Sequence, residues 1–343
     1  MAFVQKLMDS RKHIDEIDLE IDIAKNVAVR PRLEKMRFLE GGVEANLYRM
    51  LYNNGPGNGT ALFMPFDQKS SEHGPGHEFL WERDDPSAEE ISLRGRGSAD
   101  IRAIAELVKE ALRYGASAIG LTIYPGGEHI SADMERAAGI IREAHKSGLV
   151  AVVWAYARGT GLDEKTKLKD TEGEFQGITQ ADSLYWTHYA VAIASGFLGA
   201  DIVKTKYPVK VKPDNRRAYD AYIEGLAKKN SSMIAYKYIE PKDAETALTS
   251  EQEIFRASLV VQTAPNSIVI FSGGPKLRGD PTESLKKQTE IVMKAGAEGG
   301  IYGRNIWGLP VKEGLEAASA INEVISMPEF HRKLTEPRFV GYG

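Results

Sequence analysis

From Arg32 to Tyr52 apolar residues recur at helical spacing, and NNGPGNGT (Asn53 to Thr60) ends the run with glycine and proline. A short apolar stretch, ALFMPFD, follows and predicts a buried strand closing on Asp67. The chain then turns polar from Gln68 to Ser98, and its last residues, RGRGS, have loop composition. Beyond Ser98 a rhythm sets in. In IRAIAELVKEALR the residues Ile101, Ile104, Leu107, Val108, Ala111 and Leu112 share one helical face, Gly115-Ala116 closes the helix, and SAIGLTIY follows as a strand. A second helix, from about Ser131, ends at Ser147-Gly148 and leads into LVAVVWAY; another, from about Asp182, ends at Gly199-Ala200 and leads into DIVKTK. A further one opens at Asp280-Pro281, ends at Gly296-Ala297 and leads into GGIYG. SIVIFSGG supplies one more strand between the last two.

Repeated helix–glycine–strand units with nearly continuous apolar strands predict an α/β fold, a parallel sheet with helices outside it. A doubly wound sheet and a (β/α)8 TIM barrel both satisfy that pattern. The barrel is favoured because Asp67, Tyr124, Trp154, Tyr156, Lys204, Ser272 and Arg304 stand at the C-terminal ends of successive strands, where barrel active sites lie. No GxGxxG follows the first strand, which weakens the rival. The expected division is a helical N-terminal extension over 1–58, a TIM-barrel-like domain over 59–327 and a tail over 328–343.

Composition narrows the function. Among 343 residues, 44 basic side chains face 48 acidic ones, for a net charge of −4, which argues against nucleic acid as a partner. The absence of cysteine excludes disulfides, thiolate metal sites and a cysteine nucleophile. MAFVQKLMDSRKHIDE has no uninterrupted apolar core of a signal peptide, and no apolar run has the length a bilayer needs. The expectation is a soluble, cytoplasmic protein with no membrane partner. The seven histidines form no HxH or HExxH pair, so no metal and no cofactor is expected.

Lys204 and Lys206 are two apart in ADIVKTK, a spacing that aims both at one side of a strand. A lysine on an inward barrel strand is costly unless used; apolar walls and a second cation both disfavour the ammonium and so activate the amine as a nucleophile. The alternative is a strand end whose lysines reach solvent. Trp154 and Tyr156 repeat the spacing one strand earlier, as proton-transfer phenol and pocket wall or as two core aromatics. Asp67 ends the first strand and Glu72-His73-Gly74-Pro75-Gly76 follows; His73 could meet a phosphate or belong to a polar turn. Ser272-Gly273-Gly274 and Gly303-Arg304 close the last two strands, as phosphate-binding turns or as tight turns alone.

In this order, FDQ…EHGPG, IGLTIYPGG, VVWAYARG, ADIVKTK, FSGGPK and IYGRNIW resemble the archaeal-type class I fructose-bisphosphate aldolases, Schiff-base (β/α)8 enzymes related to deoxyribose-phosphate aldolase. The resemblance covers about residues 32–75 and 98–310. It implies that Lys204, rather than Lys206, forms the Schiff base, that Tyr156 transfers protons, that Trp154 lines the site, and that Asp67 is catalytic. It also implies that Ser272, Gly273, Gly274, Gly303 and Arg304 bind the phosphate of the dihydroxyacetone half and that His73 lies toward the second phosphate. Two departures stand out. The loop from Asp67 to His73 is one residue longer than the family's and lacks its glycine. Between His77 and Ala116 only a loop and one helix can be placed, where the family has two further strands, so six strands are expected in place of eight.

The resulting expectation is a metal-independent aldolase of glycolysis or gluconeogenesis that cleaves or forms fructose 1,6-bisphosphate, built as a higher-order homo-oligomer. Two alternatives stay open: a related Schiff-base reaction on another phosphorylated ketose, and a non-catalytic sugar-phosphate-binding subunit with a degenerate barrel.

Overall fold

The computed structural model describes residues 41–65, 101–127, 130–241, 246–273 and 281–331. The chain runs through α1 (Gly41–Tyr48), a π-helical turn (Arg49–Asn53), β1 (Ala61–Phe63), α2 (Ile101–Arg113), β2 (Ala118–Ile123), α3 (Ile130–Lys146) and β3 (Val150–Ala155). An antiparallel hairpin, β4 (Thr166–Asp170) with β5 (Gly173–Gly177), precedes α4 (Leu184–Ala192), its π-helical turn (Ile193–Phe197) and β6 (Ile202–Lys206). Then come α5 (Pro213–Ala227), α6 (Ala235–Ile239), α7 (Ser250–Gln262), β7 (Ile268–Ser272), α8 (Pro281–Lys294), β8 (Gly299–Ile301), α9 (Arg304–Trp307) and α10 (Val311–Ile325). No described helix is long and apolar enough to cross a membrane.

The glycine of each repeated unit has one physical job. Gly115, Gly148, Gly199 and Gly296 all have positive φ, between 71° and 92°, and so close their helices in the left-handed conformation a side chain resists. The next residue's N–H reaches back across the last turn, as Ala116 N to Ala111 O at 3.0 Å and Ala297 N to Val292 O at 3.1 Å. The chain is thereby turned directly into the following strand.

Six strands form one parallel sheet in the order β1-β8-β7-β6-β3-β2. That order is cyclic: the first strand pairs with the last and the rest follow in sequence, the arrangement of a barrel and not of a doubly wound sheet. The sheet curls into an incomplete barrel whose free edges, among the described residues, are β1 and β2.

Alternation divides each strand between two cores. Ala151, Val153, Val203 and Phe271 face the helices outside. Val150, Val152, Ile202 and Ile268 face inward, where α1 covers them with Val43 and Leu47, and the π-helical turn with Leu51. Burying side chains of that size is worth about 1.5–3 kcal/mol each. Asn46 Nδ2 fixes the contact by donating to Gly148 O at 2.8 Å.

Acidic side chains stitch the N-terminal ends of the strands. Asp201 Oδ2 accepts from Ala151 N at 2.7 Å and pairs with His145 Nε2 at 2.9 Å; Glu298 Oε2 accepts from Val269 N at 3.0 Å. The lysines stand at the opposite end of the sheet.

Candidate active site

On β6, Ile202, Lys204 and Lys206 share the inward face while Thr205 faces outward, its hydroxyl donating to Ala155 O at 3.3 Å. Lys204 is only 9% exposed and is the register partner of Trp154 on β3 and of Ile270 on β7. Its Nζ lies 5.0 Å from the centroid of the Trp154 ring and 5.9 Å from that of Tyr156. Such cation–π contacts hold an amine against an aromatic wall with about 0.5–2 kcal/mol. Tyr156 directly follows β3 and is fixed by its N–H to Ile123 O at 3.2 Å. Lys206 Nζ approaches the same ring, 6.0 Å from its centroid. Thus Lys204, Trp154 and Tyr156, singled out from spacing, meet at one strand mouth.

The indole of Trp154 reaches this position across the edge strand. At Gly120 of β2 an added β-carbon would stand 2.3 Å from Trp154 Cζ3 and 2.5 Å from Cη2, so the missing side chain is the space the ring fills. Sequence reasoning did not single out Gly120; the signal available was a glycine inside an apolar strand, which often marks a close approach.

The two glycine turns adjoin. Ser272 ends β7 as register partner of both Lys206 and Ile301. Gly273 N–H donates to Ile301 O at 3.2 Å, extending the ladder, and its carbonyl accepts from the buried Asn305 Nδ2 at 2.8 Å. Tyr302 N donates to Phe63 O at 3.0 Å, and the Tyr302 hydroxyl meets Thr289 Oγ1 at 2.7 Å. Burial pushes that phenol up to about 12, so it stays neutral. Gly303 packs closely too, since a β-carbon there would stand 2.9 Å from Pro65 Cγ. Asn305, one residue past Gly303-Arg304, therefore ties one turn to the other, a role not foreseen from the sequence.

Behind β6, Arg256 of α7 and Glu240 form a fully buried ion pair at 2.7 Å. Arg256 also donates to Val209 O at 3.0 Å, and Glu240 Oε2 accepts from Val211 N at 3.1 Å. The pair grips the segment that continues from Lys206. Asp67, His73 and Gly274 lie outside the described residues, as does the side chain of Arg304. Among the described residues no group of three or more histidine, aspartate or glutamate side chains is placed to hold a metal ion.

The sequence as a whole has counterparts among known proteins. The profile of the DeoC/LacD family aldolases matches residues 97–308. The chain belongs to the DeoC/LacD aldolase family. Among its relatives is the class 1 fructose-bisphosphate aldolase of Thermoproteus tenax, 31% identical over 230 residues, 67% of this chain and 62% of that one. Another is the fructose-bisphosphate aldolase/6-deoxy-5-ketofructose 1-phosphate synthase of Methanocaldococcus jannaschii, 28% identical over 206 residues, 59% of this chain and 46% of that one. The chain thus spans less than two thirds of the length of either relative. Among solved structures, this DeoC/LacD member is similar to an archaeal fructose 1,6-bisphosphate aldolase at 28% identity, covering 63% of this chain and 62% of that one with a TM-score of 0.41.

Proposed function

We propose that this chain is a metal-independent class I aldolase that cleaves and forms fructose 1,6-bisphosphate through a Schiff base on Lys204. The observation that carries the reading is the placement of the Lys204 amine, buried on the inward face of β6 against Trp154 and Tyr156. Membership in an aldolase family supports it. In this mechanism the neutral amine adds to the C2 carbonyl, and loss of water leaves an iminium. That cation accepts the electron pair as the C3–C4 bond breaks. Tyr156, with Asp67, takes the C4-hydroxyl proton and later returns a proton to the enamine carbon. Ser272, Gly273, Gly274, Gly303 and Arg304 hold the phosphate of the dihydroxyacetone half, and His73 faces the second phosphate. Phosphate binding remote from the reacting carbons fixes the carbonyl over the amine. Residues 59–327 form the catalytic unit, acting in the cytoplasm as a homo-oligomer.

Among the described residues β1 and β2 have no outer partner strand, which favours a second reading, a sugar-phosphate-binding subunit without turnover. One experiment separates the two. The protein is incubated with dihydroxyacetone phosphate, borohydride reduces any iminium to a stable secondary amine, and mass spectrometry locates the adduct. An adduct on the Lys204 peptide, absent from Lys204→Met, together with cleavage of fructose 1,6-bisphosphate, is expected. No adduct sinks the Schiff-base reading. In Tyr156→Phe the adduct should persist while cleavage falls by about 10²-fold or more.

A further inference from the structure

Two lysines stand on the inward face of β6, and the mechanism above employs only Lys204. Lys206 occupies the last position of the strand, opposite Ser272 in register, with its Nζ 6.0 Å from the centroid of the Tyr156 ring. Lys204 Nζ approaches the same ring to 5.9 Å, so an inner and an outer amine both stand near one aromatic side chain. Two residues advance a strand by about 6.6 Å. The outer amine therefore enters the mouth roughly one pleat beyond the carbon that Lys204 would attack. Lys206 is only partly exposed. A half-desolvated ammonium is best complemented by an anion, and charge-assisted hydrogen bonds to phosphate oxygens are the strong ones. The neighbouring strand supplies the Ser272 hydroxyl at the same level, a second donor to such an anion.

We propose that Lys206 is a specificity-determining residue of this site, whose ammonium pairs with a phosphate on the carbon next to the carbonyl attacked by Lys204. The inference rests on the Schiff-base reading and adds to it the residue that would discriminate ketones phosphorylated beside the carbonyl from neutral polyol ketones. Lys206 does not bond covalently to substrate; it holds the charge that keeps the carbonyl over the inner amine.

The test compares two ketones that differ only in that phosphate. The parent protein, Lys206→Met, Lys206→Gln and Lys206→Arg are each titrated with dihydroxyacetone phosphate and with dihydroxyacetone. Borohydride then traps the adduct, which is quantified on the Lys204 peptide. In both neutral variants the half-saturating concentration of the phosphorylated ketone should rise about tenfold or more relative to that of dihydroxyacetone. Lys206→Arg, which keeps the charge, should restore most of the preference. Equal losses with both ketones overturn the proposal, because Lys206 would then act on Tyr156 or Lys204 and not on substrate. An unaltered preference in variants that melt like the parent overturns it as well. No adduct in the parent with either ketone removes the Schiff-base reading and this inference together, whereas an adduct in the parent with an unaltered preference in the variants removes the inference alone.

Discussion

The indole of Trp154 occupies the place of a side chain on Gly120: an added β-carbon would meet Cζ3 at 2.3 Å. The edge strand thus sets the position of the ring that stands 5.0 Å from the Lys204 amine. Gly120→Val should displace the indole at a cost of about 1–3 kcal/mol, the usual range for overpacking. Trapping of a ketone on Lys204 should fall with it. Adding Trp154→Ala should recover part of the lost melting temperature, because it reopens the space. Independent, additive losses in the double variant would break the proposed link.

Asn305 joins the two glycine turns through the Gly273 carbonyl. Asn305→Ala leaves that buried carbonyl short of its partner, a loss of about 1–3 kcal/mol. If the turns bind phosphate, the KM for a phosphorylated ketose should rise more than kcat falls. Steady-state kinetics beside a thermal melt distinguish this from simple destabilisation, which would lower the melting temperature and leave KM in place.

The Arg256–Glu240 pair is fully buried, so removing one partner strands a charge. Arg256→Met should destabilise the fold by about 3–5 kcal/mol, and the double variant Arg256→Met with Glu240→Met by much less. Urea denaturation measures both. Single and double variants of equal stability would show that the two charges do not depend on each other.

His188 is packed against Tyr236, whose hydroxyl meets its Nδ1. Burial holds this imidazole down to about 4, whereas the unfolded chain takes up a proton near pH 6.5. Between those values the unfolded state binds more protons, so stability falls as the pH drops from about 6.5 to about 4, by roughly 3 kcal/mol at most. Below that window the group contributes no further change. His188→Gln should flatten the pH dependence of the melting temperature over that interval relative to the parent. Parallel curves for the two proteins would exclude His188 as the source.

Much of the fold was legible because one local device repeats. Four helical segments close on a glycine that must adopt positive φ, Gly115, Gly148, Gly199 and Gly296, and each of the four is followed by an apolar strand. The hairpin β4–β5 carried no such mark. Thr166–Asp170 and Gly173–Gly177 alternate charged and apolar residues without a continuous apolar run, and their support comes from α5. There Arg217 pairs with Asp170 at 2.7 Å and lies 4.3 Å over the Phe175 ring. The segment from Tyr207 to Gln262 likewise lacks the helix–glycine–strand rhythm, although Thr249 and Gln252 form a capping box at the start of α7. In the site, period-two spacing placed Lys204, Lys206, Trp154 and Tyr156 together. The contributions of Gly120 and Asn305 depend on which strand lies beside which, and no local pattern encodes that.

The helix α1 has a kinetic consequence. Its hold on the sheet, Asn46 to Gly148, spans 102 positions, and the strand faces it covers continue as far as Ile301. During synthesis α1 leaves the ribosome before any strand of the sheet exists, with Val43 and Leu47 unable to reach their resting places. Contacts so distant in sequence require closing large loops before they return any stabilisation, and they slow folding. The first described helix in the chain thus cannot complete its packing before those strands have formed. Until it does, the inner face of the sheet has no cover from α1, and apolar surface exposed in that way is prone to aggregation.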